Sequence, residues 1–367
     1  MKKRLFSLLL VSALVFTLSG CGEKSLLRES DPVTLNFWHV YGEQSGSPMD
    51  LLVQEFNRTV GQEKGVRVQV TNLSSASKIG GFLKEAQKGG RDAPEMPDLF
   101  TCHISDATAL GSDNLVDWNA RFTAEELSNF VPGFLADGMT EDGTLLLFPI
   151  SKSTQLLMCN GSGFARSLAQ GHVVVSDLYS NTQVMTGDVL SGLGSSAAIL
   201  YYNDTVTYRD GTQEPMDLHV LPMPKTAGAD ALMTQAGVGL CAYKTTDQKA
   251  EAAALFVRWL TESERNLDFV AQTGYMPVRN GAFDAIENYD KFPEPTESYR
   301  QLYAALKIMQ ESYTPLSEPR FEGYYGKVSQ LYDGLRKMQQ ELPARAAAGE
   351  SIDTLAEETW ALLCAIH

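Results

Sequence analysis

A cysteine preceded by small residues is the first position at which this sequence could undergo specific chemistry. Leu18, Ser19 and Gly20 lead directly to Cys21, in the pattern of a bacterial lipobox. The basic residues near the N-terminus and the apolar run 5–18 after them are typical of a signal peptide, and this run is too short to span a membrane. We expect residues 1–20 to be removed and the Cys21 thiol to be diacylated, which would anchor the chain to a membrane outer face. A plain secretory signal with an incidental cysteine is the alternative.

The remaining reactive residues show no pattern typical of catalysis or metal binding. Beyond Cys21, the cysteines are Cys102, Cys159, Cys241 and Cys364, which are far apart and include no CxxC pair. The sequence therefore predicts no zinc site. The apolar neighbours of these cysteines favour buried free thiols, and one or two disulfides are the alternative outside the cytosol. No Ser-His-Asp spacing or motif with paired carboxylates is present. We expect a protein that is not an enzyme and that uses neither a metal nor a cofactor.

Charge and length restrict the partners. The chain of 367 residues carries a formal net charge of −15, which disfavours nucleic acid and anionic membrane surfaces as partners. Its length suits two domains of ordinary size. Residues 21–31 are short and polar, and we expect them to be a lipidated tether between the membrane and the folded part.

The elements that must position any site begin after this tether. Alternating apolar residues predict strands over residues 33–37 and 66–70, and residues 97–101 are predicted to form a third short strand. Helical spacing predicts one helix that begins at Pro48 and another over residues 78–88. A strand–helix–strand order of this kind predicts a mostly parallel sheet with helices on both faces.

The second half of the chain is less regular. Residues 161–232 contain few periodic segments, whereas residues 235–243 have the pattern of a strand. Residues 248–272 have the pattern of one strong helix, and the chain beyond Pro293 is predicted to be helical.

Six short motifs follow one another between residues 33 and 280. They are Val33–His39, Pro97–Leu99, Phe148–Asn160, Ser195–Ala197, Pro222–Pro224 and Gly274–Arg279. Together with the lipobox, they resemble the motifs of family 1 extracellular solute-binding proteins, the capture subunits of ABC importers.

This resemblance implies an α/β fold with two lobes, the type II periplasmic-binding-protein-like fold. It implies mostly parallel sheets flanked by helices, a helical C-terminal tail, and a ligand clamped between the lobes by hinge closure. The N-lobe is expected from residues 31–150 and 232–290, and the C-lobe from residues 151–231 and 291–367. Only about 35 residues separate Asn160 from the Ser195 motif, fewer than is usual in the family. A shortened C-lobe is therefore expected.

The resemblance is closest to proteins that bind glycerol-3-phosphate and its diesters. The matching ligand-binding positions are Ser151 or Ser153, Ser195 or Ser196, Gly237, Tyr275 and Arg320. Hydroxyl and amide donors with one bidentate guanidinium suit a phosphate without a metal. The polyol end matches poorly, because His103 stands where an acidic side chain is expected and no aromatic residue lies at Ser74 or Ser75.

A neutral sugar or oligosaccharide is the competing ligand. Sugar sites stack rings on aromatic side chains and hydrogen-bond to hydroxyl groups. The aromatic candidates are Trp38, Tyr41, Trp118 and Tyr275, with Tyr324 and Tyr325 as further ones. His39 and His103 are expected to be ordinary polar residues rather than metal ligands.

These observations predict a monomeric, extracytoplasmic lipoprotein that binds a small solute and delivers it to ABC permease subunits. The solute would be a sugar, a polyol phosphate or a glycerophosphodiester. Two alternatives remain open: a surface lipoprotein that has lost transport and binds a partner or senses, and a carbohydrate-active enzyme at the cell surface.

Overall fold

A computed structural model describes most of the chain: residues 25–42, 46–72, 76–160, 179–225, 228, 230–286, 288–321 and 324–350. Its strands are β1 Val33–His39, β2 Val66–Asn72, β3 Leu99–Cys102, β4 Gln155–Asn160, β5 Ser191–Ser195, β6 Thr205–Thr207, β7 Gln213–Pro215, β8 Leu218–Leu221, β9 Leu232–Gln235, β10 Gly239–Ala242 and β11 Thr314–Ser317.

Helices lie between successive strands, except from β6 to β10, which are consecutive. The α-helices are α1 Pro48–Arg58, α2 Val60–Lys64, α3 Ala76–Lys88, α4 Ile104–Leu110, α5 Ala124–Ser128, α6 Pro132–Asp137, α7 Ser180–Met185, α8 Asp247–Leu260, α9 Ser263–Thr273, α10 Ala282–Ile286, α11 Thr296–Ser312 and α12 Tyr324–Ala347. Short 3₁₀ segments cover Ser112–Asn114, Trp118–Ala120 and Ser196–Tyr201. None of the helices in the described ranges combines the length and the apolar composition that a membrane crossing requires.

The first sheet has the strand order β10-β3-β1-β2. Strand β1 runs parallel to β2 and to β3, and β10 closes the edge in the antiparallel direction. The three predicted strands and their parallel arrangement are thus confirmed. The predicted helix start is confirmed as well, because the Ser47 side chain accepts a hydrogen bond from the Asp50 amide at the first turn of α1.

Helices α1 and α8 pack against the first sheet through aromatic side chains. The Phe256 ring of α8 lies 5.8 Å from Phe37 on β1 and 5.1 Å from Phe56 on α1. Phe37, Phe56 and Phe256 are fully buried. The helix predicted over residues 248–272 is wrong in one respect, because it is broken into α8 and α9. The Thr261 hydroxyl caps the carboxyl end of α8 by donating to the Val257 carbonyl at 2.8 Å.

The second sheet has the order β5-β4-β8 and is antiparallel throughout its described strands. The expectation of mostly parallel sheets therefore applies to the first sheet and not to this one. Helix α11 packs on β8, where the Gln301 side chain accepts a hydrogen bond from the Val220 amide at 3.1 Å. The C-terminal tail is helical in α11 and α12, as predicted, but strand β11 separates the two helices.

The two sheets are joined by a connecting ribbon, which we define as residues 148–154 with their hydrogen-bonded neighbours 236–240 and Met276. Phe148 pairs with Leu240 and Ser153 pairs with Ala236 along one side. On the other side, the Lys152 amide donates to the Met276 carbonyl at 3.2 Å. Three segments that are distant in the sequence thus run side by side where one sheet gives way to the other.

Several predictions concern residues outside the described ranges. These are the signal peptide, the lipidation site Cys21, the positions Ser74 and Ser75, and Cys364; the shortened segment of the C-lobe also falls largely on residues 161–178. Within the described ranges, Cys102 and Cys241 are buried free thiols, as predicted, with their sulfur atoms 3.7 Å apart.

Candidate functional site

The clearest polar contact at the connecting ribbon joins Tyr41 to Ser151. Tyr41 follows the end of β1, and its hydroxyl lies 3.1 Å from the Ser151 hydroxyl in a buried environment. The Tyr41 ring also packs edge-on against Tyr275, with ring centroids 6.1 Å apart. Burial raises the pKa of the Tyr41 phenol well above its usual range, and the nearby Tyr275 adds to this effect. Tyr41 is therefore a neutral hydrogen-bonding group at physiological pH.

A second pair of hydroxyl groups links the ribbon to the second sheet. The Ser153 and Ser196 hydroxyl oxygens lie 3.3 Å apart, and both residues are buried. The backbone supports this contact, since the Ser196 amide donates to the Thr154 carbonyl at 2.8 Å. Of the two predicted serines in this motif, Ser196 faces the ribbon, whereas Ser195 ends β5 and stays half-buried.

The fully buried side chain of His39 contacts the backbone of Tyr41. The His39 Nε2 atom lies 2.8 Å from a carboxylate oxygen of Asp50, and the Tyr41 amide donates to His39 Nδ1 at 3.1 Å. Because Nδ1 accepts, the proton of the neutral ring must sit on Nε2 and point to Asp50. Burial lowers the pKa of His39, and the hydrogen bond to Asp50 opposes that shift only in part. Sequence reasoning treated His39 as an ordinary polar residue and missed this role.

The crossover residue Lys152 forms a buried ion pair. Its ammonium group contacts the Asp137 carboxylate at the end of α6, and the Lys152 side chain is 1% exposed. Its positive charge is therefore matched by a partner that is itself largely removed from water. Nothing in the sequence distinguished this lysine, since Asp137 lies 15 residues earlier in an unrelated motif.

Arg320, a predicted ligand-binding residue, contacts the carboxyl end of the same helix, α6. Its guanidinium donates to the carbonyls of Ala136 and Asp137, each at 3.2 Å, and to the carbonyl of Met139. A cation at the carboxyl end of a helix interacts favourably with the unpaired carbonyls there. The structure therefore places the Arg320 side chain against the carboxyl end of α6, where its N–H groups donate to backbone carbonyls.

His103 lies beside these charges at the end of β3. Its Nδ1 atom is 4.0 Å from a carboxylate oxygen of Glu318, in the segment between β11 and Arg320. Burial lowers the pKa of His103, although Glu318 and Asp106 partly offset the effect. The ring therefore favours its neutral form, although charged side chains surround it.

The remaining predicted residues divide into those near the ribbon and those away from it. Gly237 lies in the ribbon segment with φ +105°, a conformation that other residues rarely adopt, and a Cβ atom there would lie 3.7 Å from the Ser153 amide. Trp38 is half-buried and packs against the apolar cluster that includes Phe100 and Cys102 of β3. Trp118 is fully buried and donates its indole N–H to the carbonyls of Leu146 and Leu240, so its predicted sugar-stacking role is wrong.

This arrangement offers hydroxyl groups and aromatic rings that can bind a small solute. Hydroxyl groups and tyrosine rings from separate segments meet where two sheets join, a place where α/β proteins commonly hold small ligands. Both nitrogens of His39 are engaged, so this histidine is not available as a general base. Across the described ranges, no group of three or more potential metal ligands is present. Two sheets with flanking helices, joined by a connecting ribbon that carries the candidate site, are the architecture of the two-lobed solute-binding folds.

The comparisons with known proteins agree with this class. Residues 164–294 match the model of the bacterial extracellular solute-binding protein family, and the resemblance found in the sequence motifs is thereby confirmed. This family is extracytoplasmic. No curated protein matches the sequence.

Solved structures with the same fold include proteins from three bacteria. The cyclic alpha-maltosyl-1,6-maltose binding protein from Arthrobacter globiformis is 14% identical, with a TM-score of 0.62 over 91% of this chain and 99% of that one. UgpB from Mycobacterium tuberculosis, in complex with glycerophosphocholine, is 15% identical, with a TM-score of 0.61 over 91% and 99%. The sugar-binding protein MalE from Xanthomonas citri is 13% identical, with a TM-score of 0.61 over 89% and 95%. At these identities the likeness concerns the fold.

Proposed function

We propose that this protein is the solute-capturing lipoprotein of an ABC importer. It is held outside the cell membrane through Cys21, acts as a monomer, binds a carbohydrate between its lobes and passes it to permease subunits. The N-lobe comprises residues 31–150 and 232–290, and the C-lobe comprises residues 151–231 and 291–367. The family match and the two-lobed fold support this proposal.

One observation carries the proposal: hydroxyl groups attached to both sheets meet at the connecting ribbon. Tyr41 comes from the end of β1, Ser196 follows β5 of the second sheet, and Ser151 and Ser153 lie between them on the ribbon. A ligand that hydrogen-bonds to groups on both sides would favour the conformation in which they face each other. Lobe closure on binding is therefore expected, with a more compact form in small-angle scattering when the ligand is bound.

The charges around this site favour a neutral carbohydrate. Lys152 is paired with Asp137, and Arg320 is engaged with the carbonyls of α6. An anionic ligand would have to compete with these contacts, within a chain whose net charge is −15. A carbohydrate needs only hydroxyl partners and an aromatic surface, which Tyr41 and Tyr275 provide together with the serines.

A glycerophosphodiester is the second candidate. The paired hydroxyls of Ser153 and Ser196 are suitable donors to a phosphate. The fold is also shared with UgpB, which was solved with glycerophosphocholine.

Calorimetric titration with maltotriose and with glycerophosphocholine tests the two ligands. For a neutral sugar, Tyr275→Ala should weaken binding about tenfold to a hundredfold, whereas Arg320→Ala should have little effect. For the diester, Arg320→Ala should be the more damaging change, and Arg320→Lys should recover only part of the loss. Tyr332→Ala, at an exposed tyrosine of α12, is the matched control. If the parent protein binds neither sugars nor glycerophosphodiesters, the proposed function is wrong.

Two further assays test the remaining parts of the proposal. Cys21→Ala should leave unprocessed precursor or release the protein into the medium; normal processing and retention would contradict lipid anchoring. Chromogenic glycosides should not be hydrolysed, and any turnover that depends on this protein would favour the enzyme alternative.

A further inference from the structure

His39, Asp50 and Tyr41 form a buried chain of hydrogen bonds that leads from α1 to the candidate ligand site. We propose that His39 is a positioning residue, which holds the backbone at Tyr41 in its ligand-binding position only while the imidazole is neutral. This inference rests on the proposed function, because it assigns to His39 a role in the affinity of the same site.

The contacts fix the tautomer of the ring. The Tyr41 amide donates to His39 Nδ1 at 3.1 Å, so Nδ1 must carry a lone pair. The proton on Nε2 is held by the Asp50 carboxylate at 2.8 Å, and Asp50 is itself fixed at the first turn of α1 by Ser47. The ring is fully buried and has no water-exposed edge to which it could turn.

Protonation of the ring breaks this chain at one defined atom. A proton on Nδ1 converts the acceptor into a donor, which then faces the Tyr41 N–H. Two donors cannot share a hydrogen bond, so either the ring or the backbone at Tyr41 must move. The Tyr41 hydroxyl, which contacts Ser151 at 3.1 Å, would be displaced with it. Acidification should therefore reduce ligand affinity through Tyr41 and not through His39 itself.

Apart from Asp50, the described groups that pack around the ring are uncharged. Within the described ranges, the charged group that acts on the imidazole is the carboxylate of Asp50 on α1. Phe37 on the same strand lies 5.2 Å away between ring centroids, and α8 presents Phe256 to Phe37. Beside the end of β1, the neighbouring strand β3 carries the uncharged Phe100 opposite Trp38. Beyond Tyr41 lie Phe269 and Tyr275, and neither is charged at neutral pH.

Ligand affinity measured as a function of pH tests this role. In the parent protein, affinity for whichever of maltotriose and glycerophosphocholine it binds should fall about fivefold or more as the pH is lowered from 7.5 through the lowered folded-state pKa of His39, the effect of losing one buried hydrogen bond. In His39→Asn, the side-chain oxygen can accept from the Tyr41 amide and cannot be protonated, so the affinity should be retained and independent of pH in this range. A pH dependence that persists unchanged in His39→Asn overturns the inference.

Two matched variants separate His39 from other titrating groups. His103→Asn removes the partly buried histidine at the end of β3 and should leave the His39 component of the pH dependence in place. Asp50→Asn keeps an acceptor for Nε2–H and removes the negative charge, so the loss of affinity should move to lower pH. If His103→Asn abolishes the pH dependence, the titrating residue is His103 and the inference is wrong.

Nuclear magnetic resonance gives a test that does not need a ligand. The imidazole nitrogens of His39 should show the neutral form with its proton on Nε2 at neutral pH, and the Tyr41 amide resonance should shift as the ring titrates. A proton on Nδ1 would overturn the inference. If no ligand binds, the proposed function fails, while this measurement still decides whether His39 controls the backbone at Tyr41.

Discussion

The first and second sheets are built differently and contribute differently to the candidate site. The first is largely parallel, and its internal strand β1 buries Leu35 and Phe37 completely on one face, where Phe37 packs against α8. The second is antiparallel, and its strands alternate between buried positions such as Val220 and exposed ones such as Leu193, which is 53% exposed. Covered parallel sheets require helices on both faces, whereas antiparallel sheets tolerate one face in water.

This difference shows how the site divides its tasks. The first sheet presents Tyr41 on a rigid, buried support that includes His39 and Asp50. The second sheet presents Ser196 from a 3₁₀ segment at the end of a short, half-exposed strand. We therefore expect the first sheet to determine stability and the position of the aromatic groups, while the second supplies hydroxyl groups that approach during closure.

The largest expected effect is on stability, and it compares equivalent substitutions in the two sheets. Leu35→Ala on β1 removes a fully buried side chain from the internal face of the first sheet, and we expect a loss of about 4–5 kcal/mol. Leu218→Ala on β8, where the side chain is 6% exposed, should cost about 2–3 kcal/mol because the edge can relax. Urea-induced unfolding measures both losses. Equal losses would show that the second sheet is packed as tightly as the first.

An intermediate effect is expected on ligand binding from the two hydroxyl pairs. Ser153→Ala and Ser196→Ala should each weaken binding about three- to tenfold, and together by less than the product, because they share one contact. Tyr41→Phe and Ser151→Ala should likewise each weaken binding about three- to tenfold, and together by less than the product, because these two hydroxyls also share one contact. A calorimetric double-mutant cycle measures both couplings. Additive effects in either cycle would mean that the ligand does not engage that pair as a unit.

A smaller effect is expected from the titration of His103. Its pKa in the folded protein is lowered from the ordinary value of 6.5, mainly by burial, so the unfolded chain binds a proton first as the pH falls. The stability it contributes is complete above pH 6.5 and is lost as the pH falls through the lowered folded-state value. His103→Asn should reduce the difference in unfolding free energy between pH 7.5 and pH 5. The same difference in parent and variant would contradict this assignment.

The smallest effect is expected from the two cysteines of the first sheet, Cys102 and Cys241, which should not form a disulfide bond. Cys102 and Cys241 share one face of the pair β3–β10, but they are diagonal neighbours, since Cys102 pairs with Gly239. Diagonal positions are farther apart than a disulfide normally spans. Burial also raises the pKa of the Cys102 thiol well above its usual value, which disfavours the reactive thiolate. Mass spectrometry after denaturation and alkylation without reductant should find both thiols free in the exported protein; a linked peptide pair would contradict this.

The sequence predicted the first sheet well, because its elements are local patterns. The alternation in Val33–Phe37 predicts β1, and Ser47 before Pro48 predicts the start of α1. It predicted the second sheet poorly, since β5 to β8 are short and lie where few residues repeat with a period. The strand predicted over residues 235–243 is divided into β9 and β10 at Gly237, whose positive φ interrupts the strand.

By itself, the sequence determined which residue types are available and which local elements carry them. The motif at Gly274 places Tyr275 directly after the end of α9, because glycine adopts the left-handed conformation that ends this helix. The tertiary structure alone decided the partners. Tyr41 and Ser151 are 110 residues apart, Arg320 meets carbonyls 181 to 184 residues away, and Trp118 is buried rather than presented to a ligand. Such contacts depend on the packing of the sheets and on strand register, which local residue preferences do not encode.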